Sequence, residues 1–155
     1  CGAMFYAPAI RGREHELSPI FREFLDLGRS KPPLTAESLL AAWADCDLVR
    51  GRLLAEMRET PILLTPVCAV PAFRHREREW TIDGVPVSYL DAMRYTQWFN
   101  LLASPAAVVP VGRSAEGLPI GVQIAGRPFE DAAVLAVAAA VEREFGYQPP
   151  PLALA

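Results

Sequence analysis

The stretch from residue 104 to residue 126 constrains the fold more than any other part of the sequence. Two apolar runs rich in β-branched residues, 106–111 and 120–125, flank a polar loop between Gly112 and Gly117. Large and small side chains alternate along the second run, and a period of two is typical of a β-strand. The loop is short enough to join the runs as an antiparallel pair. We therefore predict a core hairpin whose glycines serve close packing rather than ligand contact.

Prolines are expected at the ends of the predicted strands. Pro110 and Pro119 are expected at the ends of the hairpin strands, where a missing N–H costs least. Pro61 and Pro66 bracket a short, continuous apolar run at residues 62–65. Such a run is typical of a strand buried on both faces, as in a parallel or mixed sheet.

The first half of the chain is predicted to be helical. Ser18 followed by Pro19 is a helix start signal, and Gly28 is expected to stop that helix. Thr35 can cap a second helix that ends at Thr60. Apolar residues recur in it every three or four positions and predict one apolar face: Leu39, Trp43, Cys46, Val49, Leu53 and Met57. Charged residues on the other faces are expected in solvent: Asp45, Asp47, Arg50, Arg52 and Arg58.

The second half alternates strands and helices, which indicates an α/β fold. Asp83-Gly84 between two apolar triplets is a strong hairpin signal. Ser88 and Asp91 form a capping box for a third helix of about residues 89–103, in which Asn100 is expected to be a buried amide with its hydrogen bonds satisfied. A fourth helix ends the pattern at Gly146. Its buried stripe is expected at Val134, Val137, Val141 and Phe145.

The composition excludes several function classes. A net charge of −3 and the absence of a basic stripe argue against a nucleic-acid surface. No apolar run reaches the roughly 18 residues of a membrane span, and no signal peptide is recognisable. Cys1, Cys46 and Cys68 lack C-x-x-C spacing, so a reducing, cytoplasmic setting is expected. The 155 residues suffice for one domain, and a start without Met is consistent with a fragment that begins mid-protein.

The reactive side chains do not assemble into an active site in the sequence. His15 and His75 lack metal-ligand spacing, and no serine lies in a nucleophile-elbow pattern. The single lysine, Lys31, precedes two prolines, and the loop from Gly112 lacks the lysine of a phosphate loop. We therefore predict no catalytic residue, no metal ligand and no cofactor in this chain.

Five motifs follow one another in a diagnostic order over about residues 60–146. They are Ile-Leu-Leu-Thr-Pro ending at Pro66, Tyr-Thr-Gln-Trp-Phe-Asn ending at Asn100, Ser-Pro-Ala-Ala-Val-Val-Pro-Val from Ser104, Gly-Leu-Pro-Ile-Gly-Val-Gln-Ile from Gly117, and Gly-Arg-Pro from Gly126. This order resembles the C-terminal part of amidase signature enzymes, which include fatty acid amide hydrolases and the A-type component of glutamyl-tRNA amidotransferases. The resemblance implies an α/β fold with a mixed sheet and flanking helices. Its structural motif residues are Asn100, Pro105, Gly117, Pro119, Gly121, Gln123 and Gly126.

The resemblance also implies what the chain lacks. The family hydrolyses carboxamides with a Ser–cis-Ser–Lys triad and without a metal. The Gly/Ser-rich signature and the matching lysine are absent from residues 1–155. The chain is therefore expected to be the C-terminal section of an amidase domain, not catalytic by itself, with a helical region over 16–60, part of the α/β core over 61–146 and a tail over 147–155.

The acyl pocket and the partners of the family imply further expectations. The matching pocket residues are Thr65, Pro66, Val67, Thr96 and Phe99, for which plain core packing is the alternative. A fragment with open sheet edges is expected to form a homodimer or to associate with an N-terminal amidase region, and the full-length protein is expected to act on a small-molecule amide. Two alternatives remain: a non-enzymatic binding or assembly module derived from this fold, and a section of the A-type component of a glutamyl-tRNA amidotransferase.

Overall fold

The computed structural model describes residue 6, residues 8–30 and residues 32–146. Cys1, Lys31 and the predicted tail from 147 lie outside the described residues. The chain divides into two compact units, Cys1–Ala44 and Asp45–Ala155, and the division falls within a helix. Among the described residues, no helix is both long enough and apolar enough to span a membrane.

The first unit contains a 3₁₀ turn, Glu14–Glu16, helix α1, Pro19–Arg29, and the start of helix α2, Ala36–Glu56. α1 begins as predicted, because the Ser18 hydroxyl accepts a hydrogen bond from the Phe21 amide at 3.3 Å. The prediction that Gly28 stops this helix is wrong. A glycine inside a helix costs only about 0.5–1 kcal/mol, and the helix continues to Arg29, with Ser30 as its C-cap.

Helix α2 has the predicted cap. The Thr35 hydroxyl accepts from the Ser38 amide at 3.1 Å, and the Ser38 hydroxyl accepts from the Thr35 amide at 3.0 Å. The helix ends at Glu56, earlier than the predicted end at Thr60. Its apolar face is covered unevenly among the described residues: Met57, just after the helix, is buried, whereas Trp43 is 60% exposed and Val49 is exposed too.

The second unit is built on a three-stranded antiparallel sheet in the order β1–β5–β4. Strands β4, Ala106–Arg113, and β5, Pro119–Ala125, form the predicted core hairpin, with Val109 opposite Val122. β1, Leu63–Pro66, pairs with the other side of β5. The prediction that its apolar run is buried on both faces is wrong, because β1 is an edge strand of the described sheet and Leu64 is 60% exposed.

The two prolines of the hairpin differ in position. Pro119 is the first residue of β5, as predicted. Pro110 lies inside β4, so its predicted place at a strand end is wrong. The pairing register shifts between Pro110 and Gly112, and β4 is an edge strand among the described strands. A bulge on an edge strand tolerates a residue without an N–H, which explains how the strand continues.

Helix α5, Asp131–Phe145, packs on this sheet and ends at Gly146, as predicted. The buried core unites Val109 and Ile124 of the sheet with Val134 and Ala138 of the helix, and Val137 and Val141 pack against it. Phe145 is half exposed, so its predicted place in the buried stripe is wrong.

Glycines permit the close approach of helix and strands. A Cβ at Gly126 would lie 2.5 Å from Val134 Cγ2, and one at Gly121 would lie 2.9 Å from Val108 Cγ1. These distances confirm close packing as the role of these two glycines.

A second, two-stranded sheet lies between β1 and β4 in the chain. Strands β2, Glu79–Ile82, and β3, Val85–Ser88, pair antiparallel around Asp83 and Gly84, whose φ values are +50° and +79°. Two consecutive residues with positive φ are typical of the predicted hairpin turn. The α/β fold with flanking helices is thus confirmed, and every strand pair within the described residues is antiparallel.

The predicted third helix is two helices, α3, Tyr89–Ala92, and α4, Arg94–Leu102, separated by Met93. Its cap is confirmed, because the Ser88 hydroxyl accepts from the Asp91 amide at 3.2 Å. Asn100 is exposed rather than buried, so its predicted role as a buried amide is wrong. Asn100 lies in a run of aromatic residues, but the side chains of α4 that reach the core are Phe99 and Leu102.

Candidate functional site

A buried amide brings three elements of the second unit together. Gln123 on β5 is 4% exposed, and its Nε2 donates to the Thr65 hydroxyl of β1 at 3.0 Å and to the Tyr95 carbonyl of α4 at 3.3 Å. Thr65 is also the residue opposite Gln123 in the β1–β5 register. Because a buried polar group needs partners, this arrangement fixes the first turn of α4 against the sheet.

The remaining motif residues lie around this hairpin. The Gly126 amide donates to the Pro105 carbonyl at 3.0 Å, which closes the chain just outside the paired ends of β4 and β5. Gly117 has φ +82° in the hairpin loop, and its amide donates to the Ser114 carbonyl at 2.9 Å. Asn100 stands apart from them on the exposed side of α4. The motif residues are thus mainly scaffold.

The predicted pocket residues have different surroundings. Thr65 is bonded to Gln123, and Pro66 is the last residue of β1. The Thr96 hydroxyl donates to the Met93 carbonyl at 3.1 Å, at the break between α3 and α4. Phe99 is 4% exposed and lies in the core. Val67 lines the first of the two cavities described next.

The first cavity, of about 450 Å³, is lined mainly by apolar residues. It is lined by residues 67–72, which follow β1, and by Val108, Pro110 and residues 119–121 of the hairpin. Cys68 belongs to this wall, and its thiol donates to the Val70 carbonyl at 2.8 Å. The absence of a side chain at Gly121 leaves space in this wall, because a Cβ there would lie 3.4 Å from Val67 Cγ2 and would also contact Val108. A cavity of this size and polarity fits an aliphatic group.

The second cavity, of about 500 Å³, is aromatic and charged. Its lining consists of Ala69, Val87, Asp91, Arg94, Tyr95 and Trp98. The Trp98 ring stacks on Phe99 with centroids 4.0 Å apart and an angle of 29° between planes. Phe99 therefore helps to set the wall of this cavity from the core.

Asp91 and Arg94 form an ion pair in this lining. The Ser88 hydroxyl donates to the Asp91 carboxylate at 2.7 Å. This hydrogen bond, supported by the Arg94 charge, lowers the pKa of Asp91 below its ordinary value. The carboxylate is consequently ionised at neutral pH, and its charge is balanced by the guanidinium.

Most residues that line the two cavities were not predicted from the sequence. The sequence does contain a pattern that could have indicated the second lining, because residues 91, 94, 95 and 98 are spaced to share one side of a helical stretch. The predicted cap at Asp91 accounts for only one of its roles, since Asp91 also lines the cavity.

Arg50 is not the purely solvated charge that the sequence predicted. Its Nη2 donates to the Leu101 carbonyl at 3.0 Å, so that expectation is wrong.

Comparisons with known proteins agree with this geometry. The family model named Amidase matches residues 9–135. The A-type component of the glutamyl-tRNA(Gln) amidotransferase of Myxococcus xanthus (strain DK1622) is 37% identical over 100 residues, which are 64% of this chain and 20% of that protein. Fatty acid amide hydrolase of Medicago truncatula is 40% identical over 115 residues, 72% of this chain and 19% of that protein.

A solved structure shows the same fold. The crystal structure of an amidase superimposes with a TM-score of 0.79 at 28% sequence identity, covering 93% of this chain and 32% of that one. The chain spans about a fifth of the length of the curated relatives that it matches.

Proposed function

Because the chain belongs to the amidase signature family, we propose that it is the C-terminal section of an enzyme that hydrolyses the C–N bond of a carboxamide. The observation that carries this proposal is the hydrogen-bonded group of Gln123, Thr65 and Tyr95. Thr65 and Gln123 are each two residues along the chain from a residue that lines the first cavity, Val67 and Gly121. Three separate motifs of the resemblance meet in that group. Because residues from three motifs contact one another, they support a scaffold shared with the family rather than separate chance similarities.

In this proposal the chain supplies walls and the rest of the protein supplies the chemistry. The sequence has no Gly/Ser-rich signature, so the nucleophilic serine, the bridging serine and the lysine come from a region outside it. The first cavity holds the acyl group, with Val67 in direct contact. Of the other expected pocket residues, Thr65 and Pro66 lie in the strand that leads to Val67, and Thr96 and Phe99 lie in α4.

The proposal extends to organisation and setting. The chain takes residues 16–60 as a helical region, 61–146 as part of the α/β core and 147–155 as a tail. It associates either with an N-terminal amidase region or with a second copy, and it acts in the cytoplasm on a small-molecule amide without a cofactor. The outer edge of β1, which has no partner strand in the part of the chain that the structure describes, and the exposed Leu64 support the association.

Hexanamide hydrolysis tests the proposed function. The longer protein that carries this sequence should release ammonia from hexanamide and lose that activity with a serine-directed sulfonyl fluoride, whereas residues 1–155 alone should not turn it over. Val67→Phe should fill the first cavity and raise KM for hexanamide about tenfold. Val85→Phe is the matched control, because Val85 is exposed and lines neither cavity. Equal effects of the two substitutions would contradict the assigned pocket, and a longer protein without turnover would contradict the activity.

The similarity to a component of an amidotransferase supports a second candidate function. The longer protein would then be the A-type component of a glutamyl-tRNA(Gln) amidotransferase, as in Myxococcus xanthus. Glutamine would replace hexanamide as the preferred amide, and its hydrolysis would depend on added partner proteins. A protein that hydrolyses hexanamide alone and is unaffected by such partners would exclude this candidate.

A further inference from the structure

The second cavity has a lining unlike that of the first. Tyr95 and Trp98 give it two aromatic rings, whereas aliphatic side chains dominate the first. Trp98 is held by its stacking on the buried Phe99. The first turn of α4 is held by the bond from Gln123 to the Tyr95 carbonyl at 3.3 Å. The aromatic wall is therefore preorganised, which favours binding of a flat ring.

One segment forms a wall of both cavities. Residues 67–72 line the first, and Ala69 of the same segment also lines the second. The Ala69 amide donates to the Ala92 carbonyl at 3.0 Å, which fixes the segment to the end of α3. A ligand that occupies both cavities would pass beside Ala69, whose small side chain leaves room for it.

The charges at the second cavity favour a neutral ligand. Asp91 and Arg94 are paired with each other, so neither offers an uncompensated charge to a ligand. Val87 adds apolar surface from β3. The lining thus combines a ring-binding surface with a balanced pair of charges.

We infer that the second cavity is a subsite for an uncharged aromatic ring on the nitrogen side of the substrate amide, with residues 67–72 separating it from the acyl cavity. This inference rests on the proposed function for its link to an amide. The preferred substrates would be amides of an aliphatic acid and an aromatic amine. Trp98 and Tyr95 determine this specificity, and Phe99 is a positioning residue that acts through Trp98.

Two matched ligand pairs test the inference on the longer protein. Hexananilide and N-cyclohexylhexanamide compare kcat/KM for an aromatic and an aliphatic nitrogen substituent of the same size. Benzyl alcohol and cyclohexylmethanol compare binding by calorimetry, and neither can be hydrolysed. We expect a preference of about two- to tenfold for the aromatic member of each pair, the range typical of an aromatic stacking contact.

Three variants identify the source of the preference. Trp98→Leu should abolish it, Trp98→Phe should retain most of it, and Trp43→Leu should leave it intact because Trp43 is exposed and lines neither cavity. If Trp98→Leu does not fold, Tyr95→Leu replaces it, since Tyr95 lines the same cavity and is exposed.

The outcomes separate the two proposals. An aromatic preference in binding that depends on Trp98 or Tyr95, in a protein that hydrolyses neither these two amides nor hexanamide, would support a ring-binding subsite and overturn the proposed function. Hydrolysis of both amides without a preference, together with equal binding of the two alcohols, would overturn the subsite and leave the proposed function standing. A preference unchanged in both Trp98→Leu and Tyr95→Leu would also overturn the subsite.

Discussion

Gln123 is the buried polar side chain of the described core, and its two bonds connect β1, β5 and α4. Its place in the hairpin was predictable from the sequence, but its partners were not. Thr65 lies 58 residues away along the chain, and only the strand register brings the two side chains opposite each other. The periodicity of apolar residues predicts which face of a strand or helix is buried. It does not predict which distant residue will contact that face.

Replacing Gln123 should therefore be costly. Gln123→Leu keeps the size of the side chain but leaves the Thr65 hydroxyl and the Tyr95 carbonyl without this donor, which should lower the free energy of unfolding by about 1–3 kcal/mol. Gln97→Leu is the control, because the Gln97 amide is exposed and its contact with the Leu90 carbonyl is long, at 3.4 Å; it should change the free energy by less than about 0.5 kcal/mol. Urea denaturation measures both. Similar losses in the two variants would contradict a structural role for the buried amide.

Packing restricts position 126 to glycine. A Cβ would lie 2.5 Å from Val134 Cγ2, so Gly126→Ala should lower the free energy of unfolding by about 1–3 kcal/mol. Gly51→Ala is the matched control, because nothing lies within 4 Å of a Cβ there. Within α2 it should raise stability by about 0.5–1 kcal/mol.

The clash at Gly126 can be assigned to its partner by a double-mutant cycle. If Val134 is the obstacle, Gly126→Ala combined with Val134→Ala should be more stable than the sum of the single changes predicts. Thermal or urea unfolding of the four proteins measures the coupling. Strict additivity would show that Val134 is not what excludes a larger residue.

At the scale of elements, sequence patterns identified the type of most helices and strands but misjudged their continuity. The capping box of Ser88 and Asp91 was recognisable, yet the helix that follows breaks at Met93. The reason is a tertiary hydrogen bond: the Ala92 carbonyl accepts from the Ala69 amide, and the Thr96 amide turns to the Met93 carbonyl at 3.4 Å. Local capping signals were sufficient to locate the helix start, whereas the break depends on a segment far earlier in the chain.

The end of α4 offers a stabilising substitution. Ala103 follows the helix with φ +54° and ψ +37°, a left-handed conformation that costs a non-glycine residue about 1–2 kcal/mol. Ala103→Gly removes this cost but adds chain entropy to the unfolded state, so the net gain should be about 0.5–1 kcal/mol. Ala55→Gly, inside α2, should instead lose about 1 kcal/mol. The urea midpoints of the two variants should move in opposite directions, and a loss in both would contradict the assigned helix end.

At the scale of the whole molecule, apolar patterning predicted core positions that the described residues leave exposed. Leu64, Val108 and Trp43 are all more than half exposed, although each belongs to a predicted apolar run or apolar helix face. The chain covers about a third of the amidase chain that shares its fold. The apolar pattern of a sequence reflects which positions are buried in the whole protein. We therefore expect further protein to pack on these exposed positions.

The open edge of β1 makes this expectation testable on the isolated chain. Leu64 is exposed on β1, whose outer edge has no partner strand among the described residues, so the chain should self-associate, and sedimentation velocity over a range of concentrations should show species heavier than the monomer. Leu64→Lys should shift the distribution towards monomer, because a charged side chain on an edge strand opposes pairing. Leu135→Lys removes an equally exposed leucine from helix α5 and should have little effect, because it leaves the strand edge unchanged. Equal shifts in the two variants would mean that general apolar exposure, and not the strand edge, drives association. A wild-type chain that stays monomeric throughout would remove self-association from the proposed function and leave only association with an N-terminal amidase region.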